Sequence, residues 1–206
     1  RSYNSQIGVP LSVWLMNEHT QVGVFEAGIS KPGEMLALRD IIQPTIAVLT
    51  NLGEAHQENF LNKDEKCKEK LVLFHDAQTV VYNEDDEIVN KAVAELDDFK
   101  GEKLCWSLKD KHAPMYVKSV EKTDTATKVT YIYNGEECSY SLPFIDDASI
   151  TNSIICAAVA LKIGVKADRL DKRMQKLEPI AMRLEVKQGQ HGCTLINDSY
   201  NSDLAS

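Results

Sequence analysis

The chain has 206 residues, of which 43% are hydrophobic, so it is long enough to bury a sizeable core. Its net charge of −8 argues against an extended nucleic-acid-binding surface, which requires clustered lysines and arginines. No apolar run approaches the roughly 20 residues of a membrane-spanning helix, so we expect no membrane insertion. The five cysteines are scattered and include no C-x-x-C pair, which favours free thiols in a cytoplasmic protein over a disulfide framework or a zinc site.

The first half of the chain alternates apolar runs with helical patterns. Buried strands are predicted at residues 22–27, 45–50, 79–82 and 103–106, and helices at residues 32–42, 62–74 and 84–98. Such alternation, with nearly continuous apolar strands, predicts an α/β fold in which helices flank a mostly parallel sheet.

The pattern changes between residues 115 and 144. Two runs rich in β-branched and aromatic residues, 129–133 and 138–142, are separated by the letters NGEE, which are typical of a hairpin. We therefore expect a small antiparallel β annex on the α/β core. The remaining elements are helices at 149–163 and 167–177 and an apolar run at 193–196. A domain boundary is predicted near Arg183, dividing residues 1–183 from residues 184–206.

Two polar residues follow predicted strands, where open α/β sheets usually place their chemistry. Glu26 ends the first apolar run; its carboxylate can either cap the next turn or hold Mg²⁺, which prefers oxygen ligands. His56 follows the second strand, and it can either make a single loop hydrogen bond or place a neutral imidazole beside the same metal.

Lys70 lies on the predicted helix 62–74, whose apolar stripe consists of Cys67, Leu71 and Phe74. At 100° per residue, Lys70 lies about 40° from Phe74 and so borders the stripe, whereas Lys68 points elsewhere. A lysine in this position either extends its ammonium into solvent or is partly desolvated, with a lowered pKa and a reactive neutral amine. Substitution of Lys68, or of Lys66, is expected to be neutral.

The P-loop sequence G-x-x-x-x-G-K-[ST] does not occur in the chain, so these residues do not by themselves form a phosphate-binding loop.

Five short segments in order resemble the Mur ligases, a family of ATP-dependent amide-bond ligases. They are SYNSQIGVP at residues 2–10, FEAG with a following GE at 25–34, TNLGEAH through EKLVLF at 50–74, MRLE at 182–185 and NDSYN at 197–201. Each segment alone is weak evidence for the family, but five segments in this order and with fitting spacings are specific to it. The first and last favour the family branch that adds D-alanyl-D-alanine to a UDP-N-acetylmuramoyl-tripeptide.

The resemblance implies a P-loop-NTPase-like central domain at residues 1–183 that begins after the family's P-loop, and the start of a C-terminal ligase domain at 184–206. On this reading we expect the chain alone to be inactive. A further implication, from the wording of the first segment, is a fused alanine racemase domain in the parent protein.

The resemblance also implies roles for matching residues, with ATP and Mg²⁺ as cofactors. Glu26 and His56 would hold Mg²⁺, and Lys70 would carry a carbamate that acts as a further metal ligand. The nucleotide-binding residues would be Asn152 at the adenine, Arg183 at the phosphates and Asp198 at the ribose. The tripeptide would lie near Asn4 and Ser5.

The alternatives are another Mur ligase or a folylpolyglutamate synthetase-like ligase, which share the acyl-phosphate chemistry, or a non-catalytic module that retains the fold. Retention of Glu26, His56 and Lys70 together favours an enzyme.

Overall fold

A six-stranded sheet forms the centre of the protein in a computed structural model that describes residues 3–53, 56–97, 99–180, 185–197 and 199. Its strands lie side by side in chain order: β1 (Ile46–Val48), β2 (Thr79–Asn83), β3 (Glu102–Ser107), β4 (Met115–Lys122), β5 (Thr127–Tyr133) and β6 (Glu136–Leu142). Neighbours from β1 to β4 are parallel, and β4 to β6 pair antiparallel. The predicted α/β class with a mostly parallel sheet is confirmed.

Helices cover the sheet on both faces. They are α1 (Gly8–Trp14), α2 (Glu34–Ile42), α3 (Lys63–Leu71), α4 (Glu87–Ala94), α5 (Asp147–Lys162) and α6 (Ala167–Met174). Side chains alternate along the strands, so adjacent residues of β2 enter different cores. Val81 packs in the cluster that contains α5 and α6, whereas Val80 and Tyr82 pack in the cluster that contains α3 and α4. A third, smaller cluster joins α1 to α2.

The predicted hairpin is confirmed. Asn134 and Gly135 connect β5 to β6 with φ values of 52° and 79°, and these positive values are what a tight two-residue hairpin turn requires. The expected annex is continuous with the parallel strands, because β4 pairs with β3 through Trp106–Met115 and Ser107–Tyr116. The hairpin therefore extends the main sheet.

The helices begin and end close to the predicted positions. Asp146 caps α5 by accepting a hydrogen bond from the amide of Ser149, and Gly164, with φ of 89°, follows its end. The predicted helix 84–98 is shorter in the structure because Asp86 accepts hydrogen bonds from the amides of Ile88 and Val89 and so sets the start of α4 at residue 87.

The predicted strand at residues 22–27 is wrong. These residues form no regular strand, and Val22 and Val24 are 62% and 90% exposed. A strand requires a hydrogen-bonded neighbour. Among the described strands, β1 is the edge strand and pairs with β2 alone, so the apolar pattern of residues 22–27 has no partner strand.

A second sheet near the end of the chain consists of β7 (Glu185–Gln188) and β8 (Thr194–Asn197), which pair antiparallel. The predicted domain boundary at Arg183 lies outside the described residues. All five cysteines are free thiols. Within the described part of the chain, no helix combines the length and the apolar character that crossing a bilayer requires.

Candidate functional site

The loop that follows β1 carries His56. The chain leaves the sheet at Leu49, whose amide donates to the carbonyl of Val81, and residues 50–53 have no regular structure. His56 has the left-handed backbone conformation, with φ of 60°. Its side chain is half-exposed, and its Nδ1 lies 4.0 Å from a carboxylate oxygen of Glu58. The imidazole is thus held at the surface beyond the carboxyl end of a parallel strand, as predicted.

Helix α3 carries Lys70, and the start of this helix is set by a reciprocal pair of hydrogen bonds. Asn62 accepts from the amide of Glu65 at 2.8 Å, and the carboxylate of Glu65 accepts from the amide of Leu61 at 2.6 Å. This arrangement is similar to a capping box and fixes the register of the helix. Cys67 and Leu71 are therefore buried on one side, and Lys70 lies at the margin of that buried side.

The amine of Lys70 is partly buried. Burial lowers its pKa, the positive charge of Lys66 lowers it further, and the carboxylate of Glu26 acts in the opposite direction. A lowered pKa increases the fraction of neutral amine at a given pH, and the neutral amine is the nucleophilic form. Of the two alternatives that helical spacing left open for Lys70, the structure has the partly desolvated lysine.

Asn4 holds Glu26. Its side-chain amide donates to the Glu26 carboxylate at 2.8 Å, and its carbonyl accepts from the amide of Gly28 at 2.9 Å. A Cβ at residue 28 would lie 3.1 Å from Asn4, so a larger residue there would require Asn4 to shift. Ser5 has a local role, because its hydroxyl accepts from the amide of Gly8 at the start of α1. Thus Asn4 orients Glu26, although Glu26 itself is exposed.

Glu34 belongs to the same region, although the sequence analysis assigned it no role. Its carboxylate accepts from the amides of Ser30 and Lys31 at 2.6 and 3.0 Å, which lowers its pKa, and His56 makes a smaller contribution in the same direction. These two hydrogen bonds close the loop before α2. The letters GE at residues 33–34, which are part of the resemblance, were the sequence signal that could have indicated a role for Glu34.

The sequence patterns also did not indicate that Lys66 is buried. It is only 3% exposed, and its ammonium donates to the carbonyl of Gly53 at 2.6 Å. Substitutions of Lys66 and Lys68 were both expected to be neutral, but Lys68 is exposed and pairs with Glu95 at 3.3 Å. Helical spacing does not distinguish the two, because the burial of Lys66 comes from the loop that follows β1.

The structure does not bring every predicted site residue together. Asn152 is exposed on α5, which packs on the sheet face opposite α3. A pairing of Lys122 with Asp147 places the N-terminal end of α5, and so Asn152, near the end of β4. Arg183 and Asp198 lie outside the described residues. Lys70, by contrast, lies on α3 within electrostatic reach of Glu26, and His56 comes three residues after Gly53, whose carbonyl accepts from α3.

The donor set only partly suits a magnesium ion. Glu26 offers carboxylate oxygens and His56 an imidazole, but an amine at Lys70 is not an oxygen ligand. No group of three His, Cys, Asp or Glu side chains among the described residues is spaced to hold a metal ion. By the chemistry of its donors, this set would suit Mg²⁺ only with an oxygen ligand in place of the Lys70 ammonium.

Comparison with known proteins finds a relative that matches the chain over its whole length. The chain is 26% identical over 208 residues to the UDP-N-acetylmuramoyl-tripeptide–D-alanyl-D-alanine ligase of Bacillus subtilis strain 168, covering 100% of the chain and 44% of that protein. The chain therefore spans less than half the length of this relative.

Two solved structures have the same fold. One is a crystal structure of MurF from Acinetobacter baumannii, with a TM-score of 0.83, 21% identity and coverage of 98% of this chain and 44% of that one. The other is MurF from Thermotoga maritima in complex with ADP, with a TM-score of 0.77, 22% identity and coverage of 95% and 44%. At these identities the likeness establishes the fold alone.

A family model described as the Mur ligase middle domain matches residues 1–160, which is most of the chain. This match includes Asn4, Glu26, His56, Lys70 and Asn152, and it covers the whole six-stranded sheet. The chain belongs to the Mur ligase family, and residues 1–160 are its middle domain.

Proposed function

We propose that this chain supplies the central part of an ATP-dependent ligase that joins D-alanyl-D-alanine to a UDP-N-acetylmuramoyl-tripeptide through an acyl phosphate. The main structural support is that Lys70, a partly buried lysine with a lowered pKa, lies within electrostatic reach of Glu26. Asn4 orients the Glu26 carboxylate through a hydrogen bond. The similarity to the Bacillus subtilis ligase, which spans the whole chain, supports this choice of substrates.

The reaction would proceed in two steps. The terminal carboxylate of the tripeptide attacks the γ-phosphorus of ATP, which forms an acyl phosphate and releases ADP. The amine of D-alanyl-D-alanine then attacks the acyl carbon and loses a proton, and the tetrahedral intermediate expels inorganic phosphate to leave the new amide. Because negative charge gathers around the transferring phosphoryl group, the main task of the protein is to position the reactants and to offset that charge.

The residues around α3 would provide the metal-binding part of the site. A Mg²⁺ held there would offset the negative charges of ATP and the substrate carboxylate. Glu26, His56 and a carbamate on Lys70 would hold it. The neutral amine of Lys70 would attack CO₂ to form the carbamate and lose one proton, and the partial burial of Lys70 favours this neutral form. Asn4 would keep the Glu26 carboxylate oriented.

Nucleotide and substrate contacts belong to the same proposal. Asn152 would contact the adenine, Arg183 the phosphates and Asp198 the ribose, while Asn4 and Ser5 would lie near the tripeptide. Residues 1–183 would form the ATP-binding domain and residues 184–206 the start of a C-terminal ligase domain. A fused alanine racemase domain and a cytoplasmic location stay predictions.

The test is a phosphate-release assay on the full-length enzyme with ATP and Mg²⁺. We expect release only when both UDP-N-acetylmuramoyl-tripeptide and D-alanyl-D-alanine are present, with the pentapeptide product identified by mass spectrometry. Parallel reactions supply either single amino acids with shorter muramyl precursors, or glutamate with a folate. Turnover with one of these pairs instead would assign a different ligase of this type, and absence of turnover with all of them would favour a non-catalytic module.

A further inference from the structure

A lysine that is almost fully buried lies one helical turn before Lys70. Lys66 is 3% exposed, whereas lysines are among the residues least often buried, because an ammonium ion loses its hydration on burial. Its Nζ donates to the carbonyl of Gly53 at 2.6 Å, a short charge-assisted hydrogen bond. This contact joins two segments that are thirteen residues apart in the chain.

Lys66 places a second cation beside Lys70. Lys66 and Lys70 are four residues apart on α3, so their side chains are neighbours, and two like charges at this spacing destabilise a helix. The charge of Lys66 acts on Lys70 in the structure, since it contributes to the lowered pKa of Lys70. An apolar residue at position 66 would fill a buried position without this repulsion.

The acceptor of this hydrogen bond lies in the loop that carries His56. Gly53 comes four residues after Leu49, where the chain leaves the sheet, and three residues before His56. Leu52 packs against the cluster that contains Cys67 and Leu71 of α3. At two adjacent residues of the loop, therefore, Leu52 packs against the apolar cluster of α3 and Gly53 accepts from the ammonium of Lys66.

We propose that Lys66 is a positioning residue, which fixes the carbonyl of Gly53 and thereby holds the loop that carries His56 against the helix that carries Lys70. It touches neither substrate nor metal in this proposal and acts through the backbone of the loop. The effect on catalysis rests on the function proposed above, but the effect on the loop does not.

The first experiment measures the loop directly, by amide hydrogen exchange in the wild type and in Lys66→Met. Methionine retains most of the aliphatic length and removes the ammonium. We expect exchange at residues 49–53 and 56 to become at least about tenfold faster, because the loop loses a charge-assisted contact, while the amides of β2 and β3 keep their protection. Lys68→Met is the matched control, since Lys68 is exposed on the same helix, and it should leave the loop unchanged.

The second experiment measures kinetics of the full-length enzyme. Displacement of His56 should lower kcat about tenfold and raise the Mg²⁺ concentration needed for half-maximal rate, while KM for D-alanyl-D-alanine stays within about twofold. Lys66→Arg, which keeps a cation and its donors, should recover most of the Mg²⁺ dependence. A purely structural role would lower the amount of folded enzyme without shifting the Mg²⁺ dependence.

Each outcome decides the proposal. Loop exchange that is unchanged in Lys66→Met, or equally accelerated in Lys68→Met, overturns it. If Lys66→Met does not fold, Lys66→Arg is used instead. Amide exchange in the loop and a Mg²⁺ dependence that both match the wild type support the proposal, and a tenfold loss of kcat with unchanged loop exchange overturns it. If the wild-type enzyme joins no substrates, the proposed function fails, and the exchange experiment alone decides the role of Lys66.

Discussion

Two regions of this chain contain similar proportions of apolar residues but use them differently. In the sheet from β2 to β6 and the helix α5, most of the large apolar side chains are buried; Trp106 and Ile154, for example, are each 2% exposed. In residues 3–27, several are exposed, including Trp14 at 83% and Val24 at 90%. The second region nevertheless contributes Asn4 and Glu26 to the candidate site.

The difference shows what holds each region. The sheet is stabilised by backbone pairing and by side-chain packing on both faces, so its geometry is set by many contacts. Residues 3–27 are joined to the rest by the small cluster around α1 and α2, and the Asn4–Glu26 hydrogen bond ties the two ends of this region to each other. We therefore expect substitutions in the first region to affect stability and polar substitutions in the second to affect activity.

The two tryptophans provide the largest contrast. Trp106→Ala should lower the free energy of unfolding by about 3–5 kcal/mol, because it leaves a cavity in a packed core. Trp14→Ala should change it by no more than about 0.5 kcal/mol, because the side chain is exposed. Urea denaturation followed by circular dichroism measures both. Equal losses would mean that residues 3–27 are as strongly packed as the sheet.

Lys70→Ala comes next and should lower the rate of ligation by the full-length enzyme at least about 100-fold while leaving the unfolding transition in place. The reason is that the lost group is an anionic metal ligand when carbamylated. Short carboxylates in the assay buffer should restore part of the rate. Lys68→Ala is the control and should behave as wild type. A similar loss in both variants without rescue would indicate a general basic surface instead.

Glu26→Ala and His56→Ala should each lower the rate of ligation about 10–100-fold at limiting Mg²⁺, with part of the loss recovered at high Mg²⁺. Both side chains are exposed or half-exposed, so the melting temperature should hardly change. Rates are measured across a Mg²⁺ titration. Wild-type turnover by both variants at limiting Mg²⁺ would remove them from the proposed metal site.

Asn4→Ala should have the smallest of these effects, a loss of about tenfold, because it removes the hydrogen bond that orients Glu26 rather than Glu26 itself. If Asn4 acts through Glu26, the loss appears in the Mg²⁺ dependence. If it contacts the tripeptide directly, as the sequence resemblance implies, KM for the tripeptide rises instead. Ser5→Ala is a suitable comparison, because the Ser5 hydroxyl accepts from the amide of Gly8.

Much of the fold follows from local patterns. The period of the apolar residues predicted five of the six helices and the strands β1 to β3, and the letters NG predicted the hairpin between β5 and β6. The same reasoning failed at residues 22–27, since an apolar pattern states only that a segment can be buried. Whether it is buried depends on a neighbouring strand, which these residues lack among the described parts of the chain.

The features of the candidate site likewise divide into those that local sequence patterns predicted and those that they did not. Helical spacing alone determined that Lys70 borders a buried face, because the angle between residues on a helix is set by backbone geometry. Spacing did not distinguish Lys66 from Lys68, and it did not predict that Asn4 holds Glu26 across 22 positions of the chain. Only the tertiary structure decided these features, because burial and long-range hydrogen bonds depend on which segments the fold brings together. The loop at Gly53 contacts α3 on the side that carries Lys66, whereas Lys68, on another side of the helix, is exposed to solvent.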